Sequence, residues 1–225
     1  NGVHTGFADN FITMNKKYIA AIAVILGVSS ASQIYGAELV HRYSFPANSV
    51  WSPDGYYILE DSVGDADGRT YGSAYCSDIY DEFGNIIGSG LYLDGKGNTR
   101  SFTEGSFAAL PANLISEYAS YSVETWITGY GTNNWQRVFD FGSCGINEDG
   151  TIGDGKEYHT LIWRNNDGNM RADQRCEGVS DGQIGAGAAL PVNDFVLHHV
   201  VYTLDGENHR LCIYVDGVLK GSGTA

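Results

Sequence analysis

The chain has 225 residues and a formal charge of −14 at pH 7, and without its first 37 residues the charge is −15. Such an acidic surface repels phosphate backbones and anionic lipid, so nucleic acid and membrane surfaces are excluded as expected partners. The length, with 4 prolines and no long polar linker, fits one domain behind a leader.

Residues 1–37 have the pattern of an export signal. A basic start at Met14 is followed by an apolar run at 18–28 and by small residues at 29–32. The apolar run is shorter than the about 20 residues of an ordinary membrane span. We therefore predict a secretory signal peptide that begins at Met14, after an upstream extension, with no membrane insertion once it is cleaved. A retained N-terminal anchor is the alternative.

After the leader, the sequence predicts strands joined by turns. Residues 38–45 form the first strand, and residues 47–94, rich in Gly, Asp, Ser and Tyr, predict long loops between short strands. Residues 120–128 carry two alternating sets of side chains, which is typical of a strand. Arg137 begins the next strand, so we expect it to form a cross-strand ion pair with Glu124.

The stretch from 195 to 221 predicts two successive hairpins. Its first half is a β-branched and aromatic run, residues 204–208 supply a turn, and residues 211–215 alternate as a second strand. Asp216-Gly217 then tolerates the positive φ angles of a tight hairpin. Because a lone hairpin is marginally stable in water, this meander needs a second sheet to cover it.

The same stretch resembles a known family. The patterns HHVVYTLDG at 198–206 and LCIYVDGV at 211–218 are similar to the late strands of laminin G-like jelly rolls, part of the concanavalin A-like lectin and glucanase group. Further motifs continue the similarity in the same order, at 39–45, 61–64, 90–95, 122–127, 135–142 and 189–191. The resemblance therefore covers residues 38–225.

Regularly spaced strands with Gly and Asp turns, together with this resemblance, predict one fold class. We expect an all-β, two-sheet antiparallel jelly-roll sandwich of the concanavalin A-like type over residues 38–225. The resembling domains continue through further strands. We therefore expect this domain to be incomplete at Ala225, and the native chain to carry further domains.

Export favours disulfides for the four cysteines, Cys76, Cys144, Cys176 and Cys212, which lack the CxxC spacing of a zinc site. Four cysteines allow three pairings. A meander of the strands between 137 and 175 brings Cys144 and Cys176 to the same end, which favours that pair. Buried free thiols are the alternative.

No catalytic motif is present in the sequence. A glycosidase needs two carboxylates facing each other across a cleft, and the resembling enzymes carry them on one strand in an E-x-D-x-x-E-like pattern that does not occur here. An HExxH motif and a G-x-S-x-G elbow are also absent. The adjacent His198 and His199 point to opposite faces of a strand and cannot chelate one ion together. We therefore predict a non-catalytic protein.

Calcium is the expected cofactor, as a structural or ligand-bridging ion. Hard cations take oxygen ligands from acidic, Gly-rich loops, and the stretch DSVGDADG supplies Asp61, Asp65 and Asp67. The resemblance implies Asp61, whereas Asp65 and Asp67 follow from the local pattern. Residues 147–154 hold a second, weaker acidic cluster. Plain solvated turns are the alternative for both loops.

Sugar binding needs exposed aromatic rings that stack on pyranose rings, beside polar groups that bind hydroxyls. The candidate ligand-binding residues are Trp126, Trp135, Trp163, Tyr71 and Tyr75. Packing in the core is the alternative for each of them.

These features predict a secreted, periplasmic or cell-surface binding module that recognises carbohydrate or an extracellular protein, assisted by calcium. The resemblance implies binding as the commonest role. Two alternatives stay open: a glycoside hydrolase or lyase of the same fold, or an accessory module of one, and a structural adhesion protein of the cell envelope. Fold alone does not choose among them.

Overall fold

The computed structural model describes residues 19–28, 38–81, 83–95, 105–129, 134–142, 157–164, 168–175, 182–185 and 196–224. The regular structure of these residues is entirely β, in fifteen strands. The strands are β1 (Ile19–Val28), β2 (Glu38–Arg42), β3 (Ile58–Leu59), β4 (Gly68–Tyr71), β5 (Tyr75–Tyr80), β6 (Ile86–Leu93), β7 (Phe107–Ala109), β8 (Ser120–Gly129), β9 (Gln136–Gly142), β10 (Tyr158–Arg164), β11 (Arg171–Arg175), β12 (Gly182–Gly185), β13 (His198–Asp205), β14 (Arg210–Val215) and β15 (Val218–Thr224).

The strands form three sheets. An eight-stranded sheet has the order β15-β14-β13-β8-β1-β6-β5, with β2 paired to β1, and a four-stranded sheet has the order β12-β11-β10-β9. A small third sheet has the order β3-β4-β7. The strand pairs are antiparallel in all three sheets. The predicted fold class, an antiparallel jelly-roll sandwich, is confirmed.

The main core lies between the eight-stranded and four-stranded sheets. Alternate residues of β8 and β13 point inward, as their period of two requires, and meet the inward side chains of β10 and β11. The buried members of this core are Leu114, Tyr121, Val123, Ile127, Leu161, Trp163, Met170, Ala172, Val200, Tyr202, Leu211, Ile213 and Val215. Burial of each large apolar side chain contributes about 1.5–3 kcal/mol, so this cluster holds the two layers together.

The two hairpins predicted near the end of the described chain are confirmed. β13 pairs with β14, and β14 pairs with β15. Asp216 and Gly217, between β14 and β15, have φ angles of 51° and 75°. Two consecutive positive φ angles define the type of tight turn that an Asp-Gly dipeptide favours.

A strand that the sequence analysis did not predict occupies the middle of the eight-stranded sheet. β1 pairs with β8 at ten successive positions, from Ile19 opposite Gly129 to Val28 opposite Ser120. On its other side it pairs with β6 and β2. The strand lies within the apolar run at 18–28. Ile, Val and Ala are common in buried strands and also in the apolar core of a leader. The signal peptide stays a prediction.

The predicted ion pair between Glu124 and Arg137 is wrong. β8 belongs to the eight-stranded sheet and β9 to the four-stranded sheet, so the two consecutive strands are not neighbours. Glu124 Oε1 instead lies 2.6 Å from His199 Nε2, and Arg137 Nε lies 3.1 Å from Asp140 Oδ2. The chain crosses between layers after β8, which strand periodicity does not reveal.

Two of the four cysteines lie in described strands. Cys76 on β5 and Cys212 on β14 are buried and free. Burial raises the pKa of the Cys76 thiol, which makes it a poor nucleophile. For these two residues the alternative of buried thiols holds. Cys144 and Cys176 lie outside the described residues, and so does the acidic cluster at 147–154.

Candidate functional site

A polar cleft of about 300 Å³ lies on the four-stranded sheet. Leu161 and Ala172 point into the main core, so the side chains next to them along the strands, Thr160 and Asp173, point to the opposite face. The cleft is lined by Trp135, Arg137, Asp140, Tyr158, Thr160, Arg171 and Asp173. Its volume is at the lower end of the range for ligand sites, about 300–1,000 Å³, which limits it to a small ligand.

Strand register fixes the centre of the cleft. Thr160 on β10 is paired with Asp140 on β9 and with Asp173 on β11. Residues paired across neighbouring strands share one face of a sheet, so two carboxylates flank Thr160 there. Their Cα atoms are two strand spacings apart, roughly 10 Å.

Trp135 stands at the mouth of the cleft in an unusual backbone conformation. Its φ angle is 65°, a left-handed value that is uncommon for a bulky residue and costs energy to hold. Two hydrogen bonds hold it: the Trp135 N–H donates to the Arg164 carbonyl at 2.6 Å, and Arg137 Nη1 donates to the Trp135 carbonyl at 3.0 Å. The side chain is 42% exposed. Local hydrogen bonds thus stabilise a strained backbone that presents an indole to solvent.

Two ion pairs line the cleft below this indole. Arg171 Nη2 lies 2.7 Å from Asp173 Oδ2, and the Arg171 guanidinium lies 4.8 Å from the centre of the Trp135 ring. Arg137 Nε lies 3.1 Å from Asp140 Oδ2. Each arginine is therefore matched by one aspartate, and the charges of the lining cancel. The contact with the indole also orients Arg171, since a guanidinium over an aromatic face is attracted to it.

The ion pair between Arg171 and Asp173 leaves two polar atoms without hydrogen-bond partners. Within the part of the chain that the structure describes, Arg171 Nε and Asp173 Oδ1 are buried and make no hydrogen bond. Leaving such a group unpaired costs about 1–3 kcal/mol, so a partner that supplies the missing hydrogen bond would stabilise it. One unpaired donor and one unpaired acceptor thus lie in adjacent side chains of the cleft.

The pKa of the Asp140 carboxyl group is raised. The cleft partly removes the Asp140 carboxyl from water, which raises its pKa above the ordinary value although 48% of the side chain is exposed, and the positive charge of Arg137 opposes that shift. Asp173 and Asp140 therefore differ in surroundings: Asp173 is 6% exposed and bound to Arg171, whereas Asp140 lies nearer the rim.

The five predicted ligand-binding aromatics lie in different places, and only Trp135 lines the cleft. Trp126 is half-buried on β8 and stacks on His199, with ring centres 4.6 Å apart. Trp163 is completely buried in the main core, where it has no surface for a ligand. Tyr71 and Tyr75 stack on other rings of the protein, Phe107 and Tyr92 respectively.

The predicted calcium ligand Asp61 is held by its own loop, between β3 and β4. Both carboxylate oxygens accept hydrogen bonds, from the ring of His41 and from the backbone N–H groups of Arg42, Val63, Gly64 and Ala66. A carboxylate has about four lone-pair sites, and these five donors use them. The Asp61 carboxylate is therefore fully engaged by the protein in this structure, and its role as a calcium ligand stays a prediction.

Asp65 and Asp67, the other two predicted calcium ligands, lie in the same loop as Asp61. Asp67 Oδ1 accepts the N–H of Asp61 at 2.8 Å, and Asp65 is exposed. Among the described residues, no group of three or more His, Cys, Asp or Glu side chains is placed to hold a metal ion. Calcium binding by Asp61, Asp65 and Asp67 stays a prediction.

Sequence analysis missed most of the cleft. Arg137 was assigned to a different ion pair, and Asp140, Arg171 and Asp173 were not considered. The signal was present in the strand RADQR at 171–175, where charged side chains occupy alternate positions on one face. A face with both charge signs beside an exposed tryptophan is a better predictor of a site than tryptophan alone.

The fold and the site define a class: an antiparallel two-layer β-sandwich with a small polar cleft, bordered by an aromatic ring, on one sheet. A family model described as the concanavalin A-like lectin/glucanases superfamily, of laminin G type, matches residues 102–225. That match spans more than half of the chain, and the chain belongs to this superfamily. No curated protein and no solved structure has significant similarity to the chain. Among the described residues, no helix is long and apolar enough to cross a membrane.

Proposed function

We propose that this protein is a non-catalytic carbohydrate-binding module of the cell exterior, and that the cleft beside Trp135 is its binding site. The single observation that carries the proposal is the exposed indole, fixed in a strained conformation over two ion pairs. Membership of a superfamily of lectins and glucanases supports the ligand class, and the predicted signal peptide supports the location.

The chemistry of the cleft suits a sugar. The exposed part of the indole offers an apolar face for the C–H side of a pyranose ring. The arginine and aspartate side chains offer donors and acceptors for the ring hydroxyls, and the volume admits one ring at a time. A chain-end or single-residue contact with a polysaccharide follows from that size.

The proposal is tested by titrating the protein with immobilised polysaccharides and with free oligosaccharides. Trp135→Ala is expected to weaken binding at least about tenfold, because tryptophan side chains that line a binding site commonly contribute a large share of the affinity. Trp51→Ala is the matched control, since Trp51 is 57% exposed and packs edge-on against Tyr57 away from the cleft. Equal losses in the two variants would contradict the proposed site.

Failure to bind any glycan would contradict the proposal that the protein binds carbohydrate. The remaining interpretation would be adhesion to an extracellular protein or a structural role in the envelope. A pull-down with the intact protein, compared with Trp135→Ala, would then show whether the same cleft mediates a protein contact.

Calcium dependence is part of the proposal, as a structural or bridging ion. The same titration is repeated in calcium and in chelator. Binding that is lost in chelator supports a calcium-assisted module. Equal binding in both solutions would remove calcium from the proposal without affecting the cleft.

A second candidate function is glycoside hydrolysis, and one observation favours it. Asp140 and Asp173 flank Thr160 on one face, and the pKa of Asp140 is raised, as is typical of a general acid. Inverting glycosidases hold their carboxyl groups about 6.5–9.5 Å apart, close to the spacing of two strands. Release of reducing ends from a polysaccharide, abolished by Asp140→Asn, would establish this function; binding without release supports the non-catalytic proposal.

A further inference from the structure

We infer that the cleft selects neutral, hydroxyl-rich sugars over both acidic sugars and amino sugars. The inference rests on the proposed function, because it names the class of carbohydrate that the same cleft binds.

Charge pairing in the cleft is the first argument. A carboxylate or sulfate on a ligand requires a cation that is free to bind it, but Arg171 is 2.7 Å from Asp173 and Arg137 is 3.1 Å from Asp140. An ammonium group on a ligand requires a free carboxylate in the same way. Either charged ligand competes with an existing ion pair or leaves its own charge uncompensated, and the carboxylate of Asp173, at 9% side-chain exposure, is poorly placed to regain its interactions from water.

The unpaired atoms are the second argument. Arg171 Nε needs an acceptor and Asp173 Oδ1 needs a donor. A hydroxyl group both donates and accepts, so one hydroxyl, or two on neighbouring ring carbons, satisfies both atoms without adding charge. A carboxylate or a sulfate satisfies only Arg171, and an ammonium satisfies only Asp173.

Access to this pair requires a small movement. Both atoms are covered by neighbouring groups, so a hydroxyl reaches them directly only when the Arg171 side chain rotates. That movement strains the hydrogen bond from Arg171 to Asp173 but keeps the two opposite charges side by side, whereas a third charge in the cleft would be left without a counter-ion.

The charge of the whole chain is the third argument, against acidic ligands. With a formal charge of −14, the protein repels polyanions at long range. Neither attraction nor repulsion of this kind acts on a neutral glycan. Binding of the predicted ligand should therefore depend little on salt, because no ion pair forms with it.

The experiment uses the intact chain and matched pairs of glycans that differ in charge. The pairs are dextran and dextran sulfate, methyl-esterified polygalacturonate and polygalacturonate, and chitin and chitosan oligosaccharides. Each is titrated at low and at high salt. We expect binding to neutral members to be at least about tenfold tighter than to their charged partners at either salt concentration.

Two variants test the role of the ion pair between Arg171 and Asp173. Asp173→Asn leaves Arg171 unmatched and is expected to shift selectivity toward polygalacturonate. Arg171→Gln leaves Asp173 unmatched and is expected to shift selectivity toward chitosan. Arg69→Gln is the matched control, because Arg69 also lies over an aromatic ring, 4.7 Å from the centre of Tyr71, but outside the cleft. These opposite shifts cannot result from partial unfolding, which weakens all ligands together.

The outcomes separate the two proposals. Tighter binding of the acidic or the amino member, with strong salt dependence, overturns the selectivity and leaves carbohydrate binding intact. Unchanged selectivity in both variants also overturns it. Absence of binding to every glycan overturns both proposals.

Discussion

The carboxylate of Asp61 organises the loop between β3 and β4. Burial opposes its ionisation, but hydrogen bonds from His41, Arg42, Gly64 and Val63 hold the pKa of Asp61 well below its usual range. The side chain has no exposed surface. A buried charge that satisfies this many donors contributes to the stability of the fold.

We predict that Asp61→Ala lowers the free energy of unfolding by on the order of 3 kcal/mol at pH 7, because several buried donors lose their acceptor. Asp65→Ala, in the same loop but exposed, is the control and should change stability little. Urea unfolding at pH 7 measures both. A small effect of Asp61→Ala would contradict the structural role.

The pH dependence of this effect has a defined sign. A carboxyl group with a lowered pKa in the folded state contributes stability that is complete above its unfolded pKa of about 3.9 and is lost as pH falls through the folded value. The difference between wild type and Asp61→Ala should therefore be constant from neutral pH to about 5 and shrink at lower pH.

Gly64 gives a second variant that leaves the charge intact. A Cβ atom at this position would lie 2.6 Å from Asp61 Oδ2 and 2.8 Å from His41 Nδ1. Gly64→Ala should therefore displace the carboxylate and destabilise the protein in the same urea measurement. A neutral result would show that the loop adapts.

At the scale of the elements, the hairpin between β14 and β15 is fastened to β13. Asp216 Oδ2 lies 2.8 Å from His198 Nδ1, and Asp216 Oδ1 accepts the N–H of His199 at 3.0 Å. The Asp216 N–H in turn donates to the His199 carbonyl. One turn residue thus joins two strand pairs of the eight-stranded sheet.

We predict that Asp216→Ala destabilises the protein by about 1–2 kcal/mol. The variant loses the side-chain hydrogen bonds to His198 and His199, and alanine tolerates a positive φ angle less well than aspartate does. Asp216→Asn still offers a side-chain oxygen as an acceptor and tolerates a positive φ angle, so it should lower stability less than Asp216→Ala does. Gly217→Ala is the control for backbone strain alone, because its Cβ would meet no atom within 4 Å. Thermal unfolding ranks the three variants.

Residues 19–28 form the strand β1 in the structure and also lie within the predicted signal peptide. If the leader is cleaved, β1 leaves the protein and the paired edge of β8 loses its partner along ten residues. We therefore predict that a chain beginning at Glu38 is less stable than one beginning at Met14 and associates with itself through the open edge. Light scattering and thermal unfolding of the two chains check this.

N-terminal sequencing of the exported protein decides the biological form. A mature N-terminus after residue 28 would mean that β1 is absent from the working protein and that the position between β8 and β6 is open to another strand. A retained N-terminus would make β1 a permanent member of the sheet. Equal stability of the two chains would show that β1 contributes little.

At the scale of the whole molecule, sheet order limits the disulfides. Cys76 on β5 and Cys212 on β14 are five strands apart in the eight-stranded sheet, roughly 24 Å, which is beyond the reach of a disulfide. Gly142 and Arg175 both pair with Tyr158, so the ends of β9 and β11 lie on either side of one residue. Cys144 and Cys176 follow these ends within two residues.

We predict one disulfide, between Cys144 and Cys176, in the protein purified from an oxidising compartment. Mass spectrometry without reduction should find that pair and two free thiols, Cys76 and Cys212, that react only after unfolding. Loss of the bond in Cys144→Ser should lower stability by about 2–4 kcal/mol. Four free thiols would contradict the prediction.

Much of the fold could be predicted because it depends on local patterns. The alternation in 120–128 and the hairpins after residue 195 each give a strand or a turn from neighbours in sequence, and the fold class follows from their number and spacing. The candidate site could not be predicted in the same way. Asp140, Thr160 and Asp173 are distant in sequence and meet only through strand register.

The sequence by itself determined the acidic charge, the all-β class, the turn at Asp216-Gly217 and the family resemblance, because composition and short periodic patterns carry these properties. Only the tertiary structure decided which tryptophan is exposed, that Asp61 is enclosed by its own loop, and which charges face each other in the cleft. The physical reason is that burial, register and layer assignment depend on contacts between distant segments, which a period of two along one strand does not encode.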